Sequence, residues 1–258
     1  MPISTIPYED LQYPDPILVK GIGHIRSPKL KELSPAGEYG WGTYSLFLYF
    51  LKAGIKQLRE SLKIEIPEDA EIFDVITQNE DLRELYLEAF SFFMSEQVIY
   101  DEDHGCYLVV GVSQNENGEF SPEIVGSISK ENFDTARSMI LLRNYISLSS
   151  ADVAVKHSSK ASEDLWNRAQ EWMAKLEPQK HDDTMDVGNL ISKLCAIHPS
   201  INYLNVYDLT VFQFYDCFLQ LSYLRSVAFT QDIVSNHGSK DFKYEDWLTP
   251  QKNYEKGD

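Results

Sequence analysis

The segment IHPSINYLNVYDLTVFQFYDCFLQL, Ile197 to Leu221, carries six aromatic rings in twenty-five residues, and it constrains the fold more than any other stretch. Thr210 followed three residues later by Gln213 forms a capping box, with Leu209 and Phe214 as the matching hydrophobic staple, so a helix starts at about Val211. At about 100° per residue, Val211, Phe214, Tyr215, Phe218 and Leu221 make one apolar stripe, and Phe212, Leu219 and Tyr223 widen it on one flank. The apolar arc then covers roughly 200°, whereas a helix lying on one core needs only about 100°. Something must cover the flank: a second layer of the same chain, another copy, or a different protein. Phe212, Leu219 and Tyr223, with Tyr203 and Tyr207 in the preceding loop, are therefore the candidate partner-contact residues.

The rest of the chain reads as an α+β protein, mainly α-helical, with an N-terminal strand arm, a small central antiparallel β meander and a C-terminal helical half. PILVKGIGHI alternates and carries two glycines, as a strand or hairpin arm does. Tyr44, Phe47, Leu48, Leu51, Ile55, Leu58 and Leu62 recur at the spacing of one core helix, weakened at Gly54. Two further helices are expected over about 69–77 and 80–95. QVIYD, CYLVVGV and PEIVGSI make three strands, with Gly105 in the first turn, and Ser129 is placed to cap a helix bearing Phe133, Ala136, Ile140 and Leu141. The organisation expected is an α+β region over 1–150, an amphipathic helix and linker over 151–185, and a helical region over 186–258 with a terminal segment anchored by Trp247.

Net charge is −17, which repels phosphate backbones and anionic head groups and argues against nucleic-acid or membrane-surface partners. The charges are segregated. From Ile17 to Lys63 there are eight Lys or Arg and three acids, and from Ile64 to Ser129 one base and sixteen acids, a distribution suited to closing on itself, to stacking between copies or to docking a basic partner. The longest apolar run, Leu46 to Leu51, is far below the ~20 residues of a spanning helix, and the first residues have neither the basic start nor the apolar run of a signal peptide. A soluble protein is expected.

Chemistry is sparse. Three cysteines, Cys106, Cys195 and Cys217, have no C-x-x-C spacing, so neither a disulfide framework nor a zinc knuckle is indicated and a reducing compartment fits best. Cys195 and His198 are three apart but lack a third orienting residue. Asp101-Glu102-Asp103-His104 and His181-Asp182-Asp183 are consecutive runs without the alternation of a calcium loop. No cofactor, metal or catalytic constellation is expected. The competing reading is an enzyme or an effector acting on host defence, with a site assembled from distant residues such as His24, His104 and His198.

PILVKGIGHIRSPKLKEL followed by YGWGTYSLFLYFL, then IVGSISKENFDTARSMILLRN, HPSINYLNVYDLTVFQFYDCFLQL and KDFKYEDWL, resembles proteins encoded in the tail modules of long-tailed phages of Gram-positive hosts, similar to tail assembly chaperones. The resemblance touches most of the chain in separate blocks. It implies a non-enzymatic assembly factor of the host cytoplasm; a component kept in the virion tail is the alternative. Its implied partners are the tape-measure protein and tail-tube subunits. Self-association is a further expectation from the segregated charge.

Overall fold

The alternation in PILVKGIGHI produces a small hairpin, in which β1 (Ile17–Val19) pairs antiparallel with β2 (Gly23–Ile25) and Leu18 lies opposite His24. A computed structural model describes residues 7–34, 37, 39–62, 67, 70–114, 118, 120–146 and 186–237. The amphipathic helix and linker expected over 151–185, the His181-Asp182-Asp183 run and the terminal segment with Trp247 lie outside the described residues.

Ahead of the hairpin stands α1 (Tyr8–Gln12), a single helical turn that sequence reading did not anticipate. It is bounded by Pro7 and Pro14, with Glu9 and Asp10 in its first turn, where acids suit the helix dipole. After the hairpin comes α2 (Leu30–Leu33), whose Glu32 carboxylate accepts from the Lys29 N–H at 2.8 Å.

The helix expected from Tyr44 to Leu62 is two helices, α3 (Gly40–Lys52) and α4 (Ile55–Leu62). Ala53 between them is extended. Gly54 costs about 1 kcal/mol inside a helix, and here its N–H donates to the Gln57 side chain at 3.0 Å, which starts a new helix instead of continuing the old one. Helices α5 (Ile72–Gln78) and α6 (Glu80–Phe93) follow, the second capped by Asn79, whose side chain accepts from the Leu82 N–H at 3.0 Å.

Strands β3 (Gln97–Asp101), β4 (Cys106–Gln114) and β5 (Phe120–Ile128) form the expected antiparallel meander, in the order β3-β4-β5. Gly105 takes φ 61° in the first turn, the left-handed value a glycine adopts most readily. The sheet meets the hairpin at Gly126, where a Cβ would lie 2.6 Å from the carbonyl oxygen of Ile22 and where the Ser127 N–H donates to the Gly21 carbonyl at 3.0 Å. Only a glycine lets the two backbones approach so closely.

Helix α7 (Phe133–Arg143) begins four residues beyond Ser129. Ser129 does not cap it, because the Asn132 side chain takes the Ser129 N–H at 2.8 Å and donates to the Ser127 carbonyl, closing a turn ahead of the helix. The chain resumes with α8 (Val187–Ile197) and, after a 3-10 turn at Val206–Asp208, α9 (Val211–His237).

One apolar core joins most of these elements, while α1 and α4 pack into two smaller clusters. Phe90 of α6 meets Tyr107 of β4 edge-on at 5.1 Å, and Phe133 of α7 packs at 5.3 Å from Phe73 of α5 and 5.8 Å from Tyr86 of α6. Leu190, Ile191 and Leu194 of α8 and Val211 and Phe214 of α9 enter the same cluster. The protein is thus α+β and mainly helical, with N-terminal strands and C-terminal helices sharing the core.

Candidate partner-binding surface

The start of α9 is fixed by its own sequence and by the segment before α2. The Thr210 hydroxyl accepts from the Gln213 N–H at 3.2 Å while the Gln213 side chain accepts from the Thr210 N–H at 3.1 Å, completing the capping box. The Val211 N–H donates to the Pro28 carbonyl at 2.9 Å and the Phe212 N–H to the Ser27 hydroxyl at 3.2 Å. Every free N–H of the first turn therefore has a partner. Leu209 and Phe214, the staple pair, both pack into the main core.

Phe212 is not a surface residue. Its exposure is 0%, and it forms a second small core with Leu11 and Leu142, against which Tyr8, Ile17 and Tyr145 pack. The surplus flank inferred for this helix is covered at that point by the chain's own N-terminal turn, so the partner-contact role expected of Phe212 is corrected. Sequence reading missed the cover because a five-residue helix has too short a pattern to show periodicity. The flanking prolines and the acidic first turn were its available signals.

Polar groups hold that turn down. The Asp216 carboxylate, 6% exposed, accepts from the Tyr8 hydroxyl and from the Gln12 side chain at 2.9 Å, and the Gln213 side chain donates to the Gln12 carbonyl at 3.0 Å. Burial and the neighbouring Asp216 charge hold the Tyr8 phenol well above its ordinary range. Arg143, wholly buried, donates through Nη1 to the carbonyls of Leu11 at 2.8 Å and Tyr13 at 3.0 Å and through Nη2 to that of Asp15 at 2.9 Å. Burial lowers its pKa to about 10, against the pull of Asp15.

Tyr145 completes the seat in an unusual backbone state, φ 64°. Its N–H donates to the Leu142 carbonyl and that of Ile146 to the Leu141 carbonyl, the double bond pattern that ends a helix at a left-handed residue. Glycine normally fills this position. The tyrosine is retained by its ring, 5.2 Å from Phe212 and stacked on Tyr215 at 6.0 Å.

The loop between α8 and α9 is the opposite case, an apolar surface left open. Leu204 is 94% exposed, Tyr203 61% and Tyr207 40%. Side chains organise the loop internally: Asn202 accepts from the Leu204 N–H at 2.9 Å, Asn205 accepts from the Asn202 N–H at 2.8 Å and donates to the Ser200 carbonyl, and His198 Nδ1 accepts from the Ile201 N–H at 3.1 Å. The Tyr203 hydroxyl reaches Ser192 of α8 at 3.1 Å. Leu204, which sequence reading did not single out, stands at the apex of this framework. Leu219 and Tyr223 are half-buried on α9, while Leu224 and Phe229 further along are exposed.

The titratable groups considered for chemistry do not converge. His24 Nδ1 lies 2.5 Å from Glu96, beside the start of β3, and His104 Nδ1 lies 2.7 Å from Asp101, at the end of β3, so about 15 Å of strand separates the pairs. His198 is engaged in organising its loop. Burial raises the pKa of the Cys195 and Cys217 thiols, Asp216 adding to the rise at Cys217, which is the direction opposite to nucleophile activation. Among the described residues no three His, Cys, Asp or Glu side chains are grouped to hold a metal, and no helix is long and apolar enough to cross a membrane.

Residues 178–252 match the family model described as the YomV second domain. The match takes in α8, the exposed loop and α9, less than a third of the chain, so this segment is similar to a domain of a phage-derived protein. No curated protein and no solved structure matches the chain.

Proposed function

We propose that this chain is a non-enzymatic assembly factor for phage tails, a chaperone that binds the tape-measure protein or tail-tube subunits through the α8–α9 loop. The observation that carries the reading is Leu204, 94% exposed between two exposed tyrosines in a loop whose own side chains hydrogen-bond its backbone. A preorganised apolar apex loses little entropy when a partner covers it, and tyrosines beside an aliphatic anchor suit the centre of an interface. A long tape-measure helix would self-associate through its apolar stripe, and this apex offers that stripe an alternative surface. The acidic charge keeps the complex soluble. The working location is the host cytoplasm.

The test is co-expression of the tagged chain with the phage's tape-measure protein and, separately, its tail-tube protein. Retention of either by the parent chain, and its loss in the triple variant Tyr203→Ser, Leu204→Ser, Tyr207→Ser at unchanged thermal stability, is the expected result. Equal retention by both forms removes the loop from the interface. Recovery of the chain in purified particles would replace the chaperone role with that of a resident tail component.

A further inference from the structure

An antiparallel sheet with one face on a core normally alternates apolar inward and polar outward. The β3-β4-β5 sheet is apolar on both faces. Val98, Tyr107, Val109 and Ile128 enter the core, and the register gathers Ile99, Leu108, Val110, Val112, Phe120 and Ile124 on the other side. Val112 and Phe120 are each 73% exposed, Ile124 61% and Ile99 41%, the kind of contiguous apolar patch that marks an interaction surface. Residues 97–128 also hold six acids and no lysine or arginine. A second sheet laid on this one would set acids against acids, so electrostatic complementarity requires a basic cover.

The same chain carries such a surface. Residues 40–59 hold Lys52, Lys56 and Arg59 and no acid. Leu46, Tyr49 and Lys52 follow one another at i, i+3 spacing and so form a row on α3, in which Leu46 is 45% and Tyr49 47% exposed, and Lys56 stands exposed at the start of α4. Within one copy the two surfaces cannot meet. The sheet lays its inner face on α6, Tyr107 against Phe90 at 5.1 Å, and α3 lays its inner stripe on the same helix, Phe47 against Phe92 at 5.8 Å. Each exposed surface is therefore on the side of its own element turned away from α6.

We propose that the basic, apolar face of α3 in one copy docks on the acidic, apolar outer face of the sheet in the next, a head-to-tail contact between copies of this chain. Because the two patches differ, a pair leaves one of each free, and association continues into a ring or a filament instead of stopping at a dimer. The −17 net charge opposes approach at low salt. At about 0.15 M salt the Debye length is about 8 Å, so distant charges are screened and those beside the contact decide its sign. The patches are small, which sets the contact among weak ones, with a Kd on the order of 100 μM. It uses neither Leu204 nor the loop around it, and its failure leaves the tail-assembly reading where it stands.

Analytical ultracentrifugation of the full-length chain at about 0.15 M salt tests the contact. The parent is expected to grow in mass with concentration, past two copies, by mass action. A parent that stays monomeric up to about 1 mM, tenfold above the expected Kd, overturns the proposal without any variant. Two variants then locate the faces: Val112→Thr with Phe120→Thr and Ile124→Thr on the sheet, and Leu46→Gln with Tyr49→Gln on α3. Both replace exposed side chains, and the substitutes keep the strand and helix preferences of their sites. Each variant alone should associate about tenfold or more weakly than the parent, through the apolar area lost. Each also retains the surface that the other lacks, so an equal mixture should regain the parent's affinity and stop at two copies. Either variant assembling as the parent does, or a mixture no heavier than its components, overturns the proposal.

Discussion

Arg143 Nη1 donates to the carbonyl oxygen of Leu11 at 2.8 Å across 132 residues of chain, and neither residue retains any exposure to solvent. Replacing the guanidinium by the apolar side chain of Arg143→Met strands the carbonyls of Leu11, Tyr13 and Asp15. The expected loss is about 3 kcal/mol in chemical denaturation, since each buried acceptor left unmade costs about 1–3 kcal/mol and water recovers part of it at the exposed residues Tyr13 and Asp15. A loss under about 0.5 kcal/mol would show that the N-terminal turn is not seated through this residue.

Phe212 and Leu204 separate folding from binding. Phe212→Ala empties the centre of the second core and should cost about 3–5 kcal/mol, whereas Leu204→Ser should stay within about 0.5 kcal/mol of the parent. Thermal and denaturant unfolding of the two variants side by side measures the contrast. If both are mild, Phe212 returns to the list of surface residues.

Tyr145 sets a backbone preference against a ring contact. Tyr145→Ala keeps the left-handed strain and loses the contacts to Phe212 and Tyr215. Tyr145→Gly loses the same contacts but relieves strain of about 1–2 kcal/mol. Both variants should be less stable than the parent, with the glycine variant the better by about 1 kcal/mol. Equal stabilities would mean that residue 145 is not left-handed in solution.

Alkaline titration reports on the buried phenols. Tyr8, Tyr44, Tyr86, Tyr107, Tyr145 and Tyr215 all have pKa values raised above the ordinary 10.0, each chiefly by burial. Because the folded state holds these protons more tightly than the unfolded chain, their contribution to stability is complete below pH 10 and is lost as pH rises through the folded values. Arg143 acts in the reverse sense, its folded value of about 10 lying below the ordinary arginine range, but it is one group against six. Unfolding on raising the pH above 10, with the six phenolate signals appearing together with loss of helix, is the expected outcome in near-UV absorbance and circular dichroism. More than nine of the fifteen phenolates appearing before any loss of helix would place some of those six rings in water.

The capping box at Thr210, the meander and its Gly105 turn were legible in the sequence because each is a local rule, decided within four residues or by strict alternation. The break at Gly54 was half-legible: the glycine signalled weakness, and only the Gln57 side chain, by taking the Gly54 N–H, turned weakness into a new helix. Tyr203 and Tyr207 were named from their place in the loop ahead of the helix, and both are exposed. Leu204 was not, since a lone leucine in a polar loop carries no periodic signal and its exposure follows from how the asparagines fold the loop.

The sequence by itself determined where the aromatic helix begins, which of its residues form the inner stripe, and that its apolar arc exceeds what one contact can bury. Tertiary structure alone decided what covers the excess. A single turn near the N-terminus has too few residues to announce itself, and its place opposite Phe212 depends on Arg143 and Asp216, groups that become neighbours of residues 8–15 only once more than a hundred intervening residues have packed.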